Sequence, residues 1–245
     1  MLKSIKRAAR TFGRVFGVDI TSYHPRFDER YLARKQLEHL EIRTVIDVGA
    51  NAGQFVEGSI LPVKTIHHIY SFEPLPDAYE SLRSAAVHTS RWQTYRVALS
   101  DQVGKSTFHV AANSVSSSLL SVTNASTDVV PASRSIRDIE VDLMRLDDIW
   151  TDFKIEHNVL LKIDVQGNEL NVLRGAELSL VHIKAIRLEL STIHLYDDQP
   201  TYEDVMQYLH DRGFRLFAID SRWSDTESGR TMQFDGILVN NKLSY

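Results

Sequence analysis

The stretch Thr44-Val45-Ile46-Asp47-Val48-Gly49-Ala50-Asn51-Ala52-Gly53-Gln54-Phe55 limits what this chain can fold into more than any other. It starts as a β-branched, apolar run, which suits a buried strand. It then turns through Gly49 and opens into a helix near Gly53. Glycine at such a turn permits tight backbone geometry and lets a ligand come close to the main chain. The helix that follows adds unpaired N–H groups and the positive end of its dipole, which suit a carboxylate or a phosphate. The dinucleotide fingerprint Gly-x-Gly-x-x-Gly is not met, because the loop reads Asp47-x-Gly49-x-Asn51-x-Gly53.

The next apolar run, Ile66-His67-His68-Ile69-Tyr70-Ser71-Phe72, ends in Glu73-Pro74. An acid at the end of the second strand of a doubly wound sheet can accept both hydroxyls of a ribose. Its usual place is about 20 residues beyond the glycine loop, and Glu73 falls at a similar separation.

From here strand and helix patterns alternate. Residues 54–61 read as a helix stopped by Pro62, and residues 76–87 as a helix with proline in its first turn. Residues 94–99 read as a third strand and 107–110 as an added one. Residues 111–135, rich in Ser, Thr, Asn and Ala, read as a loop or lid. A strand over 136–144 and a short helix over 146–150 follow. The run Val159-Leu160-Leu161-Lys162-Ile163 is a second apolar strand with chemistry at its end, in Asp164-Val165-Gln166-Gly167. Then come a helix over 168–180, a strand over 185–190 and a helix over 201–212 closed by Gly213. Strands over 214–219 and 233–239 make an antiparallel pair. Such alternation argues for one α/β domain with a largely parallel sheet, here residues 42–245, with no repeat and no linker.

Residues 1–41 precede it as a lead. Lys3, Lys6, Arg7, Arg10 and Arg14 fall on one arc of a helix, and Leu2, Ile5, Ala9, Phe12 and Phe16 on the neighbouring arc, with no acid before Asp19. A basic amphipathic helix of this kind lies on an anionic membrane, on a partner or against its own domain. A second helix around Tyr31, Leu32, Leu37 and Leu40 caps the sheet.

Composition narrows the function. The net charge of −4 gives no global electrostatic case for nucleic acid. The chain has no cysteine, which excludes disulfides, thiolate metal sites and a cysteine nucleophile and fits a reducing compartment such as the cytoplasm. No apolar run approaches the roughly 18 residues of a spanning helix.

Taken in order, several segments resemble the FkbM family of S-adenosylmethionine-dependent methyltransferases, over residues 42–240. They are the loop Asp47-Val48-Gly49-Ala50-Asn51-Ala52-Gly53-Gln54, Ser71-Phe72-Glu73-Pro74, Val97-Ala98-Leu99-Ser100-Asp101, Ser117-Ser118-Leu119, Leu161-Lys162-Ile163-Asp164-Val165-Gln166-Gly167-Asn168-Glu169 and Leu173-Arg174-Gly175-Ala176. The resemblance implies a class I methyltransferase, Rossmann-like sheet of seven strands, mostly parallel, with helices on both faces and the last strand antiparallel. It implies S-adenosylmethionine as cofactor, with contacts carried onto Asp47, Gly49, Ala50, Asn51, Gly53, Glu73, Pro74, Ala98 and Asp164. It also implies O-methylation, often of natural products or surface glycans. The closing Gly229-Arg230-Thr231-Met232-Gln233-Phe234-Asp235-Gly236 looks like members found among glycan-assembly enzymes.

A hydroxyl acceptor stays protonated at neutral pH, so a general base within hydrogen-bond reach is expected. Ligands of open α/β sheets sit beyond the carboxyl ends of the strands, which nominates Asp164, Glu189 and His194. Asp164 can face the cofactor or the acceptor. Glu189 can be buried and merely paired. His194 lies in a loop past its strand, and a histidine is the side chain most suited to proton transfer near neutral pH. Lys162 shares a strand face with Asp164 and can pair with it or contact substrate. Two carboxylates without a histidine cluster give no expectation of a metal. The sequence thus reads as an O-methyltransferase of a sugar hydroxyl in a glycan or glycolipid, cytoplasmic, resting on the inner membrane face through residues 1–18, and able to form a homo-oligomer. The competing readings are a methyltransferase of a small natural product, RNA or protein, and a cofactor-binding module without catalysis.

Overall fold

Runs of β-branched and leucine side chains withdrawn from water set the frame of the molecule. The computed structural model describes residues 10–18, 24–25 and 28–243. In chain order these contain α1 (Glu29–His39), β1 (Thr44–Val48), β2 (His68–Phe72), α2 (Pro76–Ala86), β3 (Trp92–Tyr95), β4 (Ala98–Leu99), β5 (Gly104–Ala111) and α3 (Asn124–Val129). They continue with β6 (Ser135–Met144), α4 (Leu146–Ile149), β7 (Val159–Ile163), α5 (Glu169–Arg174), β8 (Ile183–Ser191), α6 (Tyr202–Asp211), β9 (Phe214–Ser224) and β10 (Thr231–Asn240).

Seven strands form one sheet in the order β3-β2-β1-β7-β8-β10-β9. β1 and β7 at its centre are buried at every position, as strands covered on both faces must be. The pairs from β3 through β8 are parallel, and β10 is antiparallel to both β8 and β9. The strand order, not the strand direction, reverses between β1 and β7, so their carboxyl ends frame the crevice where ligands of such sheets bind.

Alternate residues feed two cores. Ile46, Leu161 and Ile163 face Leu170, Val172 and Leu173 of α5 and Val205 and Leu209 of α6. Val45 and Leu160 face Leu37 of α1, Leu82 of α2 and the buried Val56 and Ile60. A second sheet, β4-β6-β5, buries Phe108, Val110, Val141 and Leu143 against Leu75 and Ala78.

Several expected elements take a different form. Residues 54–61 begin as an α-helix but widen to a π-helix over Val56–Ile60. Pro62 has no N–H with which to close another turn, and the Leu61 N–H reaches five residues back to the Val56 carbonyl at 2.8 Å. The expected third strand over 94–99 is two strands in different sheets. After Tyr95, whose carbonyl accepts the Glu73 N–H, the chain leaves the large sheet and Ala98–Leu99 pairs with β6. The helix expected over 168–180 stops at Arg174, where Gly175 packs on the Ser100 carbonyl. The segment 111–135 is not bare loop, since it holds α3 and turns at Ser114–Ser116 and Pro131–Ser133.

Of the N-terminal basic helix, Leu2, Lys3, Ile5, Lys6, Arg7 and Ala9 lie outside the described residues. Residues 10–15 are helical, with Phe12 and Phe16 68% exposed and their rings 5.1 Å apart. Among the described residues no helix is long and apolar enough to cross a membrane.

A Cβ at Gly175 would sit 1.9 Å from the Ser100 carbonyl oxygen. Backbone cannot yield as a flexible side chain can, so Gly175→Ala should cost about 1–3 kcal/mol or more, read as a lower urea midpoint. Gly58, with nothing within 4 Å of its Cβ position, should accept alanine without loss in the same experiment.

Candidate active site

A cavity of about 280 Å³ opens at the carboxyl ends of β1, β2 and β7, close to the lower end of the roughly 300–1,000 Å³ of small-molecule sites. Its floor is main chain. Gly49 sits at φ 73°, and a Cβ there would lie 1.8 Å from the Asp164 carbonyl oxygen. Only glycine lets the two strand ends approach this closely. The N–H groups of Gly49 and Ala50 both reach the Phe72 carbonyl at 3.0 Å, which lays the loop across the end of β2.

Glu73 follows β2 directly and is 5% exposed. One carboxylate oxygen accepts the Asn51 N–H and the other the Leu75 N–H, each at 2.8 Å. Burial pushes its pKa up to about 7, although the Leu75 and Asn51 N–H groups and Lys162 pull the other way. Each oxygen keeps a lone pair for a further donor. Pro74, Ala98 and Asn51 line the same cavity, with Phe72, Val97, Leu99 and Phe108 as apolar wall. Gly53, one turn on, lies against the Trp92 ring and is not among the lining residues. Asp47 lies beneath the loop, fully buried and 3.0 Å from Lys162 Nζ.

Lys162 is 7% exposed. Its ammonium donates to the Gly49 carbonyl at 2.9 Å and stands 3.6 Å from Asp164. Burial opposes its charge, but Asp47 and Asp164 outweigh burial and hold its pKa above the ordinary lysine value. Pairing with acids, rather than contact with substrate, is what the geometry gives this residue.

Asp164 and Glu189 come together at the ends of β7 and β8. Gln166 Nε2 donates to both, at 2.7 Å to Asp164 Oδ1 and 3.0 Å to Glu189 Oε2. Gln233 of β10 adds a second donor to Glu189 Oε2 at 2.9 Å. Burial, then the neighbouring Asp164, pushes the Glu189 pKa up to about 8. Glu169 is 4% exposed, accepts the Gly167 N–H at 3.0 Å and is pushed by burial to about 7.

His194 is not brought to this cluster. Thr192 bonds back to the Thr231 carbonyl on β10, and Leu195 and Tyr196 turn inward, which leaves His194 exposed with Nδ1 3.1 Å from the Gln199 carbonyl. It is absent from the residues lining the cavity. Among the described residues no group of three or more His, Cys, Asp or Glu is placed to hold a metal. Gln166, Gln233 and Tyr196 are the parts that sequence reasoning missed. Gln166 stands inside the Lys-Ile-Asp-Val-Gln-Gly run, where an amide between two strand-end acids is the signal that was there to read.

Strand order, a glycine-floored cavity and a buried acid after the second strand define a methyltransferase of the class I type. Residues 47–216 match the family model described as the methyltransferase FkbM domain, and the chain belongs to that family of S-adenosylmethionine-dependent enzymes. It is 27% identical over 206 residues to the 2-O-methyltransferase NoeI of Sinorhizobium fredii, covering 81% of this chain and 80% of that one. It is 29% identical over 219 residues to the 31-O-demethyl-FK506 methyltransferase FkbM of Streptomyces tacrolimicus, covering 80% and 82%. Among solved structures, methyltransferase FkbM from Methylobacillus flagellatus KT aligns with a TM-score of 0.48 and 15% identity, over 80% of this chain and 44% of that one.

The three raised carboxyls have a consequence for stability. Between the ordinary carboxylate range and the values near 7 and 8, the folded protein keeps protons that the unfolded chain has released. Stability is therefore greatest on the acid side and falls as pH rises through that window. The melting midpoint of the cofactor-free protein should drop between pH about 5 and about 8. Glu169→Gln, uncharged throughout, should flatten that slope.

Proposed function

We propose that the protein is an O-methyltransferase whose acceptor is a hydroxyl of a sugar in a glycan or glycolipid. The observation that carries this reading is the pair Asp164 and Glu189, held side by side in the wall of the cavity that the glycine loop floors. An alcohol needs its proton removed as it attacks, and a carboxylate in reach is what a hydroxyl acceptor requires. Both named relatives are O-methylating enzymes by their names.

The residues present fit S-adenosylmethionine. The main-chain floor at Gly49 admits close approach, Glu73 has lone pairs for the two ribose hydroxyls, and the apolar wall suits a purine. When bound, the cofactor supplies a sulfonium methyl group as the electrophile. Asp164, 40% exposed at its side chain, would take the proton of the acceptor's hydroxyl as that hydroxyl oxygen receives the methyl group and the carbon–sulfur bond of the sulfonium breaks. Burial and the neighbouring Asp164 raise the Glu189 pKa to about 8, which favours its protonated form. Lys162 keeps the loop and Asp164 in place from below.

A second cavity of about 590 Å³ is lined by Leu120 and Gly167, whose chain neighbours Leu119 and Gln166 line the first. Asn171, Arg174, Asp198 and Gln207 give it planar polar groups, and Tyr208 an aromatic one. That chemistry supports an acceptor carrying several hydroxyls rather than an apolar natural product.

Calorimetry and turnover test the reading together. Glu73 must ionise to accept two hydroxyl protons, so affinity for S-adenosylmethionine should fall about tenfold per pH unit below the Glu73 pKa of about 7. Glu73→Gln should bind more weakly and lose that pH dependence. Asp164→Asn should bind the cofactor yet lose roughly 10²-fold or more in kcat. Labelled methyl groups should be recovered as O-methyl sugars from a glycolipid extract. Label found only in RNA or protein would sink the sugar reading.

The exposed Phe12, Val15 and Phe16 support a peripheral membrane contact by the N-terminal segment. Each cation near an anionic surface contributes about 1 kcal/mol, so the full chain should sediment with anionic vesicles at low salt and be released by screening. A chain beginning at Asp19 should not sediment. A full chain that ignores vesicles at low salt refutes the contact.

A further inference from the structure

Gln166 uses every heteroatom of its side chain at once. Its nitrogen holds Asp164 and Glu189, and its Oε1 accepts the Tyr196 hydroxyl at 2.9 Å. The same hydroxyl lies 3.1 Å from the Ser116 carbonyl, and Ser118 Oγ donates to the Gln166 carbonyl at 2.7 Å. Tyr196 is 3% exposed and Ser118 fully buried. The backbone of Gln166 is in the left-handed region at φ 58°, sparsely populated by residues other than glycine, and such a conformation persists only where its surroundings over-determine it.

We propose that Gln166 is a positioning residue for methyl transfer: its amide fixes the Asp164 and Glu189 carboxylates against each other and makes their placement depend on the docking of residues 114–119. Two acids on neighbouring parallel strands repel. One amide nitrogen with two hydrogens gives each a donor and sets both oxygens toward one point. The amide's orientation is set in turn by Tyr196, and Tyr196 meets the segment through Ser116. That segment also lines the cofactor cavity through Ser114, Val115, Ser117 and Leu119, and Asn51 Nδ2 donates to Ser114 Oγ at 3.2 Å. A side chain that seats the segment therefore reaches both the cofactor loop and the acid pair. The charged and titratable groups around the pair are Lys162 on β7, Glu169 on α5, Asp235 on β10 and Tyr196.

The proposal rests on the reading of Asp164 as base, but its test needs no acceptor. Carboxyl carbons of Asp164 and Glu189 are titrated by NMR in protein labelled at Asp and Glu, and amide hydrogen exchange is followed over residues 114–120. Gln166→Leu removes from each carboxyl a donor that favours its ionised form, so both titrations should move upward and exchange over the segment should rise at least tenfold. Tyr196→Phe touches neither carboxylate and keeps Gln166, which guards against a leucine variant that fails to fold. It should speed exchange over the segment and shift the Asp164 titration in the same direction by a smaller amount.

A Tyr196→Phe protein whose segment loosens while both carboxylates titrate as before overturns the coupling. Segment exchange at the original rate in Gln166→Leu overturns it as well. If the shifts appear but Asp164→Asn turns over normally, the base has been misassigned and the Gln166 link stands.

Discussion

One buried ammonium holds the cavity end of the sheet together. Lys162 stands among Asp47, the Gly49 carbonyl and Asp164, and its charge is 5.7 Å from the centre of the Phe55 ring. It thus ties β1, the glycine loop, β7 and the start of the following helical segment to one point. Asp47 is fully buried in the middle of a parallel sheet, where an acid without a partner is untenable. Leaving one charge of such a pair uncompensated costs about 3–5 kcal/mol. The Arg187 guanidinium lies the same 5.7 Å from Phe55 and pairs with Asp235 at 2.6 Å, which extends the charge order across β8 and β10. The polar spine runs through the sheet and emerges at the acids of the cavity.

Around that spine the chain divides its labour. The large sheet supplies a floor of main chain and the strand-end acids. The small sheet supplies the facing wall, since Ala98, Phe108 and the residues after β5 border the same cavity. The break after Tyr95 makes this possible. A straight third strand would have carried Ala98 along the sheet edge, whereas the departure after Tyr95 turns it over the cofactor loop.

Much of this was legible from local pattern. The β-branched run ending in Asp47-Val48-Gly49 has no better place than a central strand, and Glu73 and Asp164 stand at strand ends because their neighbours are apolar on both sides. The terminal antiparallel pair was readable for the same reason, though both strands run longer than their apolar cores. What stayed hidden depends on residues distant in sequence. Gln166, Tyr196, Ser116 and Gln233 meet only after the sheet has formed, and no period or spacing reports that meeting. His194 and Tyr196 show the point most sharply. Two residues apart in one loop, they differ in that Tyr196 turns inward where Thr192 and Thr123 have pinned the chain. Titration chemistry favoured the histidine, and packing chose the tyrosine.

The main-chain floor at Gly49 leaves that side of the cavity almost no side chain to vary. Shape there is set by carbonyl and amide groups common to every amino acid, so few substitutions can retune it without tearing β1 from β7. The facing side is made of side chains, among them Ser114, Val115, Ser117 and Leu119. Change in the shape of the cavity is thereby channelled into those side chains, while the main-chain floor stays the same. A scaffold of this kind fixes one face of its cavity and leaves the other open to revision.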